Sequence, residues 1–266
     1  MPTIDPIALL SGLMVGISLG LTGGGGSIFA VPLLVYALGL SATTATGLSL
    51  GIVGLTAGFG AALRLGRAEI DWSAGIVFAA SGMALAPVGA WLGHQIPPAL
   101  LLSAFACLMG WVGYRLWCGR SAETTAPGPC VLRAGGRRGW ACYLRLLAAG
   151  SAAGILSGLF GVGGGFIIVP ALLYVTGISL HRAIATSLLV IFLISLSGVT
   201  AALSHGTVWP WPLAAAFLAG GLAGMLGGSA LRHRLPAARL QKVFAIGMWL
   251  VAAFMLAKNA PTLVHS

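Results

Sequence analysis

Two stretches of this chain each place five glycines in a segment that is otherwise apolar and carries no charge. One reads Leu19-Gly20-Leu21-Thr22-Gly23-Gly24-Gly25-Gly26-Ser27, followed by Ile28-Phe29-Ala30-Val31-Pro32. The other reads Ser157-Gly158-Leu159-Phe160-Gly161-Val162-Gly163-Gly164-Gly165-Phe166, followed by Ile167-Ile168-Val169-Pro170. Glycine runs break helices, and composition says in what surroundings these breaks lie. The 266 residues are 58% hydrophobic and 7% charged, whereas a soluble domain carries about 25% charged residues. Too few polar side chains exist to cover a water-facing surface, so the chain reads as an all-α polytopic membrane protein. Broken backbone inside a bilayer is tolerated only where protein buries it or where it lines a wet cavity. Two such breaks in corresponding positions of two halves are the usual sequence pointer to a transporter's binding site.

The net charge of +10 is not read as a nucleic-acid signal. Its Lys and Arg cluster in short loops, Arg115 to Arg145 and Arg232 to Lys242. Basic clusters beside apolar spans are what membrane topology produces. Cys107, Cys118, Cys130 and Cys142 include no CxxC pair, and the expectation is four free thiols rather than disulfides or zinc ligands. The N-terminal segment has no basic region of the kind a signal peptide needs, so its first apolar stretch is expected to stay in the mature protein.

Apolar segments run from about Ile7 to Leu21 and Ile28 to Leu40, then Thr44–Leu63, Ser73–Gly93 and Pro98–Trp117. The last three match a hydrocarbon core of about 30 Å. The first two reach only about 22 Å each as helix, and are expected to be two short helices meeting at the glycine break. Residues 118–145 are rich in Pro, Gly and Arg without apolar period and read as a linker. After it the pattern restarts. Pro32 and Pro170 stand 138 positions apart, and the same shift pairs Tyr36 with Tyr174, Pro98 with Pro236 and Trp111 with Trp249. The chain is therefore expected to be a tandem duplication: membrane repeat 1 over 1–117, linker 118–145, membrane repeat 2 over 146–266.

Loop charges set the orientation. The linker carries Arg115, Arg120, Arg133, Arg137, Arg138 and Arg145 against Glu123, which places it in the cytoplasm. Counting spans outward from it puts His94–Pro98 outside and Arg64–Asp71 inside. In the second half, Arg232–Lys242 and His181-Arg182 fall inside, each opposite to its counterpart. The expected architecture is two inverted-topology repeats, each with a glycine-broken short-helix pair plus three full spans, and with both termini outside.

The acidic residues are Asp5, Glu69, Asp71 and Glu123, none at mid-span. A carboxylate proton relay and a catalytic acid–base pair are both unsupported, so no enzyme, cofactor or metal site is expected. Glu69 and Asp71 stand near Arg64 and Arg67 and read as an interfacial ion-pair cluster. What remains is backbone N–H groups and hydroxyls. A helix starting near Ile28 or Phe166 turns its free N–H groups and positive dipole end toward the break, which suits an anion. The candidate substrate-binding residues are Thr22, Gly23, Gly24, Gly25, Gly26, Ser27 and Ser49 in the first half. In the second half they are Gly161, Gly163, Gly164, Gly165, Thr186 and Ser187, with Ser157 a possible further donor. Pro32 and Pro170 are structural neighbours of the site. The competing reading is that the glycines only let helices pack closely. No Lys-Ser/Thr of a phosphate-binding loop follows Gly165 and no strand precedes it, so neither ATP nor a dinucleotide is implied.

The second block, Gly154-x-x-x-Gly158-Leu159-Phe160-Gly161-Val162-Gly163-Gly164-Gly165-Phe166 with Val169-Pro170 and Ala183-Ile184-Ala185-Thr186-Ser187, resembles the sulfite exporter TauE/SafE family of bacterial membrane permeases. The resemblance covers nearly the whole chain, because the first half repeats the pattern. It departs where Thr22 stands opposite Phe160 and Gly47-Leu48-Ser49 opposite Ala185-Thr186-Ser187. It implies an inner-membrane carrier of small, often sulfur-containing anions: sulfite, sulfoacetate or related organosulfonates. Alternating access at a midplane site is the expected mechanism, with a small anion and the lipid bilayer as partners. An anion channel, or a membrane protein acting in sulfur metabolism through a partner without transporting, are the alternatives.

Overall fold

The computed structural model describes residues 5–65, 69–118, 139–204, 209–231 and 237–264. The described residues form ten helical segments: α1 (Pro6–Thr22), α2 (Gly25–Ala37), α3 (Ala42–Ala62), α4 (Trp72–Gln95), α5 (Pro98–Cys118), α6 (Trp140–Phe160), α7 (Gly165–Thr176), α8 (Leu180–Ser204), α9 (Trp211–Leu231) and α10 (Ala237–Val264). Six of them, α3, α4, α5, α6, α8 and α9, are long and apolar enough to cross a membrane. The interruptions fall where the glycine runs lie. Gly23 closes α1 and Gly161 closes α6, both left-handed at φ 74° and φ 70°. A left-handed residue turns the chain out of the helix, and glycine takes that conformation freely because it has no Cβ to collide with the following carbonyl.

Three expectations need correction. The pair flanking the second break is not two short helices, because α6 has 21 residues while α7 has 12. Trp140–Arg145, expected in the linker, form the opening turns of α6. Hydropathy falls at Arg145, but a helix end can carry a charge without unwinding, so the apolar window underestimates the helix. Cys142 is disulfide-bonded, whereas Cys107 and Cys118 are free. Pairing depends on proximity in space, to which the spacing of the cysteines gives no clue. The rest of the linker, residues 119–138, together with Arg67, His205 and Arg232–Pro236, lies outside the described residues.

The helices pack in pairs drawn from opposite halves: α1 on α9, α4 on α6, α3 on α8 and α5 on α10. Under the 138-residue shift, α1 on α9 becomes α6 on α4, and the other two pairs map onto themselves. Glycine makes the first two pairings possible. Gly12, Gly16 and Gly20 run along one face of α1, and a Cβ at any of them would strike α9 backbone at Phe217, Gly221 or Met225. Gly150, Gly154 and Gly158 do the same on α6, against Phe78, Gly82 and Ala86 of α4. Small residues let helix backbones approach where lipid offers no hydrophobic drive to associate.

α3 and α8 sit at the centre, with Val53, Leu188, Val190 and Ile191 fully enclosed. A second cluster joins α5 and α10 to the helices that follow the breaks, through Ile28, Phe105, Phe160, Phe166 and Met255. The Phe105 and Phe160 rings are 5.3 Å apart, and Phe29 and Phe244 are 6.0 Å apart. The outer surface is apolar as well, with Leu10, Met14, Ile76 and Leu250 more than half exposed. Trp72, Trp140 and Trp211 mark the starts of α4, α6 and α9. An apolar exterior with tryptophans at helix ends is the pattern of a lipid-facing surface.

Candidate functional site

The two breaks meet. A Cβ on Gly24 would lie 2.5 Å from the Gly165 carbonyl oxygen, and one on Gly165 would lie 2.6 Å from Gly24 Cα. The backbones of the two runs are thus in direct contact, which only glycine permits. Each break is also braced by a central helix. On the first break, a Cβ at Gly23 would strike the Ile184 side chain of α8, and Ser187 Oγ donates to the Gly23 carbonyl at 2.8 Å. On the second, a Cβ at Gly161 would strike Thr46 of α3, and one at Gly163 would lie 3.2 Å from Val53 and 3.1 Å from Ile191. Thr46 and Ile184 are themselves 138 positions apart, so the two braces are equivalent.

Gly25 and Gly26 do not join this contact. Gly25 faces Thr22, and Gly26 tucks against Ser18 and Leu19, so both serve the local turn. Pro32 is buried where α2 passes from an α turn into a wider π turn at Leu33–Ala37. Pro170 lies inside α7, one turn and a half from its start.

The hydroxyls divide into two groups. Thr22 Oγ1 donates to Ser18 O at 2.7 Å, and Ser27 Oγ to Gly24 O at 2.7 Å. Ser187 Oγ has both Gly23 O and Ile184 O in reach. Thr186 Oγ1 accepts from the Asp71 N–H at 2.9 Å, tying α8 to the start of α4, where Asp71 Oδ1 accepts from Ala74 N–H. These groups hold the frame together. Ser49, Ser157 and Ser195, by contrast, are buried with no hydrogen-bond partner for Oγ.

Ser195 escaped the sequence reading because a serine in an apolar helix looks unremarkable. Its spacing carried a signal nonetheless: Ser187, Ile191 and Ser195 lie at steps of four, one face of α8. Trp209 was missed too. Its buried Nε1 also lacks an acceptor, and it lies 3.7 Å from where a Gly47 Cβ would stand.

A cavity of about 20 Å³ reaches this region, lined by Thr43, Thr46 and Gly47 of α3, His94 of α4 and Gly158 of α6. That volume takes one water molecule and no multi-atom anion. Around the opposite ends of the central helices, Glu69 Oε1 stands 3.4 Å from His181 Nε2. Buried Arg64 donates from Nη1 to the Gly60 carbonyl. Asp71 thus caps α4, and Glu69 pairs with a histidine.

Comparison with known proteins agrees with this architecture. The family model described as sulfite exporter TauE/SafE matches residues 8–255. A probable membrane transporter protein of Xylella fastidiosa (strain Temecula1) is 34% identical over 262 residues, covering 97% of each chain. The probable membrane transporter protein YdhB of Bacillus subtilis is 27% identical, over 86% of this chain and 91% of its own. A probable membrane transporter protein of Haemophilus influenzae is 28% identical, over 95% and 98%. No solved structure matches the chain. With its membrane-length helices, paired breaks and near-complete family match, the chain belongs to the sulfite exporter TauE/SafE family of membrane proteins.

Proposed function

We propose that the protein is a permease or exporter for small sulfur-containing anions (sulfite, sulfoacetate or a related organosulfonate), working by alternating access at the place where the two breaks meet. The observation that carries this reading is the backbone contact between Gly24 and Gly165. It joins one break from each half at the centre of the helix bundle. Helix starts there offer N–H groups and a positive dipole end to an anion. The exchange of packing partners under the 138-residue shift supports an inverted repeat, in which one half rocks against the other. The small cavity on the His94 side suits a closed state, one that a multi-atom anion enters only after the breaks move. In this reading the protein sits in the bacterial inner membrane with residues 118–145 in the cytoplasm. It catalyses no reaction, and no cofactor takes part.

The test is flux into proteoliposomes of labelled sulfite, sulfate, thiosulfate and methanesulfonate. Saturable uptake of at least one, absent from empty liposomes, is the expected result. Uptake rising linearly with concentration would instead indicate a channel. Absence of any anion flux by well-folded protein would refute the proposal and favour a role through a partner.

A further inference from the structure

We infer that the anion is held at the second break alone, by the hydroxyls of Ser49, Ser157 and Ser195 with the first N–H groups of α7, and that this site takes singly charged oxyanions in preference to doubly charged ones. The inference rests on the anion-transport reading above and narrows it.

Hydroxyls in buried helices normally satisfy themselves by donating to their own carbonyl one turn back. This protein does so repeatedly, at Thr56 to Ile52 O, Ser103 to Ala99 O and Thr176 to Leu172 O. Ser49, Ser157 and Ser195 have the same option and do not take it. Each is at most 1% exposed, and each hydroxyl lacks any partner. A buried donor without an acceptor costs free energy, so a donor kept in that state at three places calls for an external acceptor.

Two of the three lie against one loop, and the third sits on the helix that braces it. Ser195 Oγ is 3.5 Å from the Cβ position of Gly163, and Ser157 Cβ is 3.4 Å from that of Gly164. Ser49 stands on α3 one turn from Thr46, which abuts Gly161, and one turn from Val53, which abuts Gly163. Gly163 and Gly164 both hold positive φ, 67° and 65°, and Gly164 is the N-cap of α7. That backbone course leaves the Gly165 and Phe166 N–H groups ahead of the first helical bonds, in which the Ile167 and Ile168 N–H groups donate to the Gly164 carbonyl. The cavity is lined by Thr46, which abuts Gly161, and by Gly158 on the turn of α6 before the loop.

The first break is built differently. Thr22, Ser27 and Ser187 all donate to backbone carbonyls there. Duplication supplied two breaks, and the hydroxyls of one now serve as scaffold while those of the other remain free to bind.

The donors are all neutral. The nearest neighbours of Gly161, Gly163, Gly164 and Gly165 are all uncharged residues. Moving an ion out of water costs free energy that rises with the square of its charge, and no countercharge offsets it here. A tetrahedral oxyanion with one charge keeps the acceptor oxygens these donors need at about a quarter of that cost.

The full-length protein in proteoliposomes tests this with methanesulfonate and sulfate, which are similar in shape and differ in charge. Ser49→Ala, Ser157→Ala and Ser195→Ala should each raise the KM for methanesulfonate about tenfold or more, as loss of a hydrogen bond to a charged group predicts. Their thermal unfolding should not worsen, because the hydroxyls removed have no partner to lose. Ser103→Ala serves as the control, with unchanged KM. Sulfate should compete at least tenfold less well than methanesulfonate. If wild-type protein transports but the three variants keep its KM, the assignment of the site is wrong. If sulfate competes equally, the charge preference is wrong. If wild-type protein moves neither anion nor any of the wider panel, the transport reading fails instead.

Discussion

Substituting Gly165 by alanine tests the contact on which the site depends. The new Cβ would stand 2.6 Å from Gly24 Cα, 2.7 Å from Gly24 O and 2.6 Å from Ile191 Cδ1. Carbon atoms in contact prefer about 3.5–4.0 Å, so a displacement near 1 Å is required. Ile191 can turn its terminal methyl aside, but the Gly24 backbone has little freedom. Its carbonyl accepts from Ser27 Oγ at 2.7 Å, and the adjoining Gly23 carbonyl accepts from Ser187. The two breaks must therefore separate. Overpacking of this kind costs about 1–3 kcal/mol. If that strain falls on the geometry that binds the anion, flux drops about 5- to 150-fold, at about 1.4 kcal/mol per factor of ten. A fall in Tm of about 2–12 °C should accompany it for a domain of this size. Gly24→Ala attacks the same contact from the other side, so the double variant should lose less than the sum of the two. Proteoliposome flux and thermal unfolding of the purified variants read both effects. Wild-type flux and wild-type Tm in Gly165→Ala would show that the breaks do not touch in the membrane.

Three other substitutions probe the frame. Ser187→Ala removes a donor to the buried Gly23 carbonyl and should cost about 1–3 kcal/mol, read as a lower Tm. Gly154→Leu drives a side chain into α4 at Gly82 and should prevent folding of the α4–α6 pair, read as loss of a monodisperse peak in detergent. Gly227→Ala meets nothing within 4 Å and should leave Tm unchanged or raise it by the helix propensity of alanine, at most about 1 kcal/mol.

Much of this was legible without coordinates. The charged fraction and the run of apolar segments required a membrane protein, and the helices lie within a few residues of the segments read from hydropathy. Gly23–Gly26 and Gly161–Gly165 announced two breaks, because no other residue interrupts an apolar helix so cheaply, and the 138-residue shift declared them equivalent. Less legible was the length of α6, since Arg145 hid its first turns. The disulfide at Cys142 was invisible too.

The sequence by itself determined which residues can do chemistry here: glycines, serines and threonines, with no carboxylate at mid-span. Only the tertiary structure decided what each of them does. Ser27 and Ser187 looked like donors for a ligand and are occupied with carbonyls, whereas Ser195 looked like filler and is unpartnered. The reason is physical. A hydroxyl has one proton to donate, and whether a carbonyl from another helix stands within 3 Å depends on how helices pack. Equivalence in sequence therefore promised two like breaks, and packing paired the hydroxyls around one with carbonyls and left those around the other unpartnered.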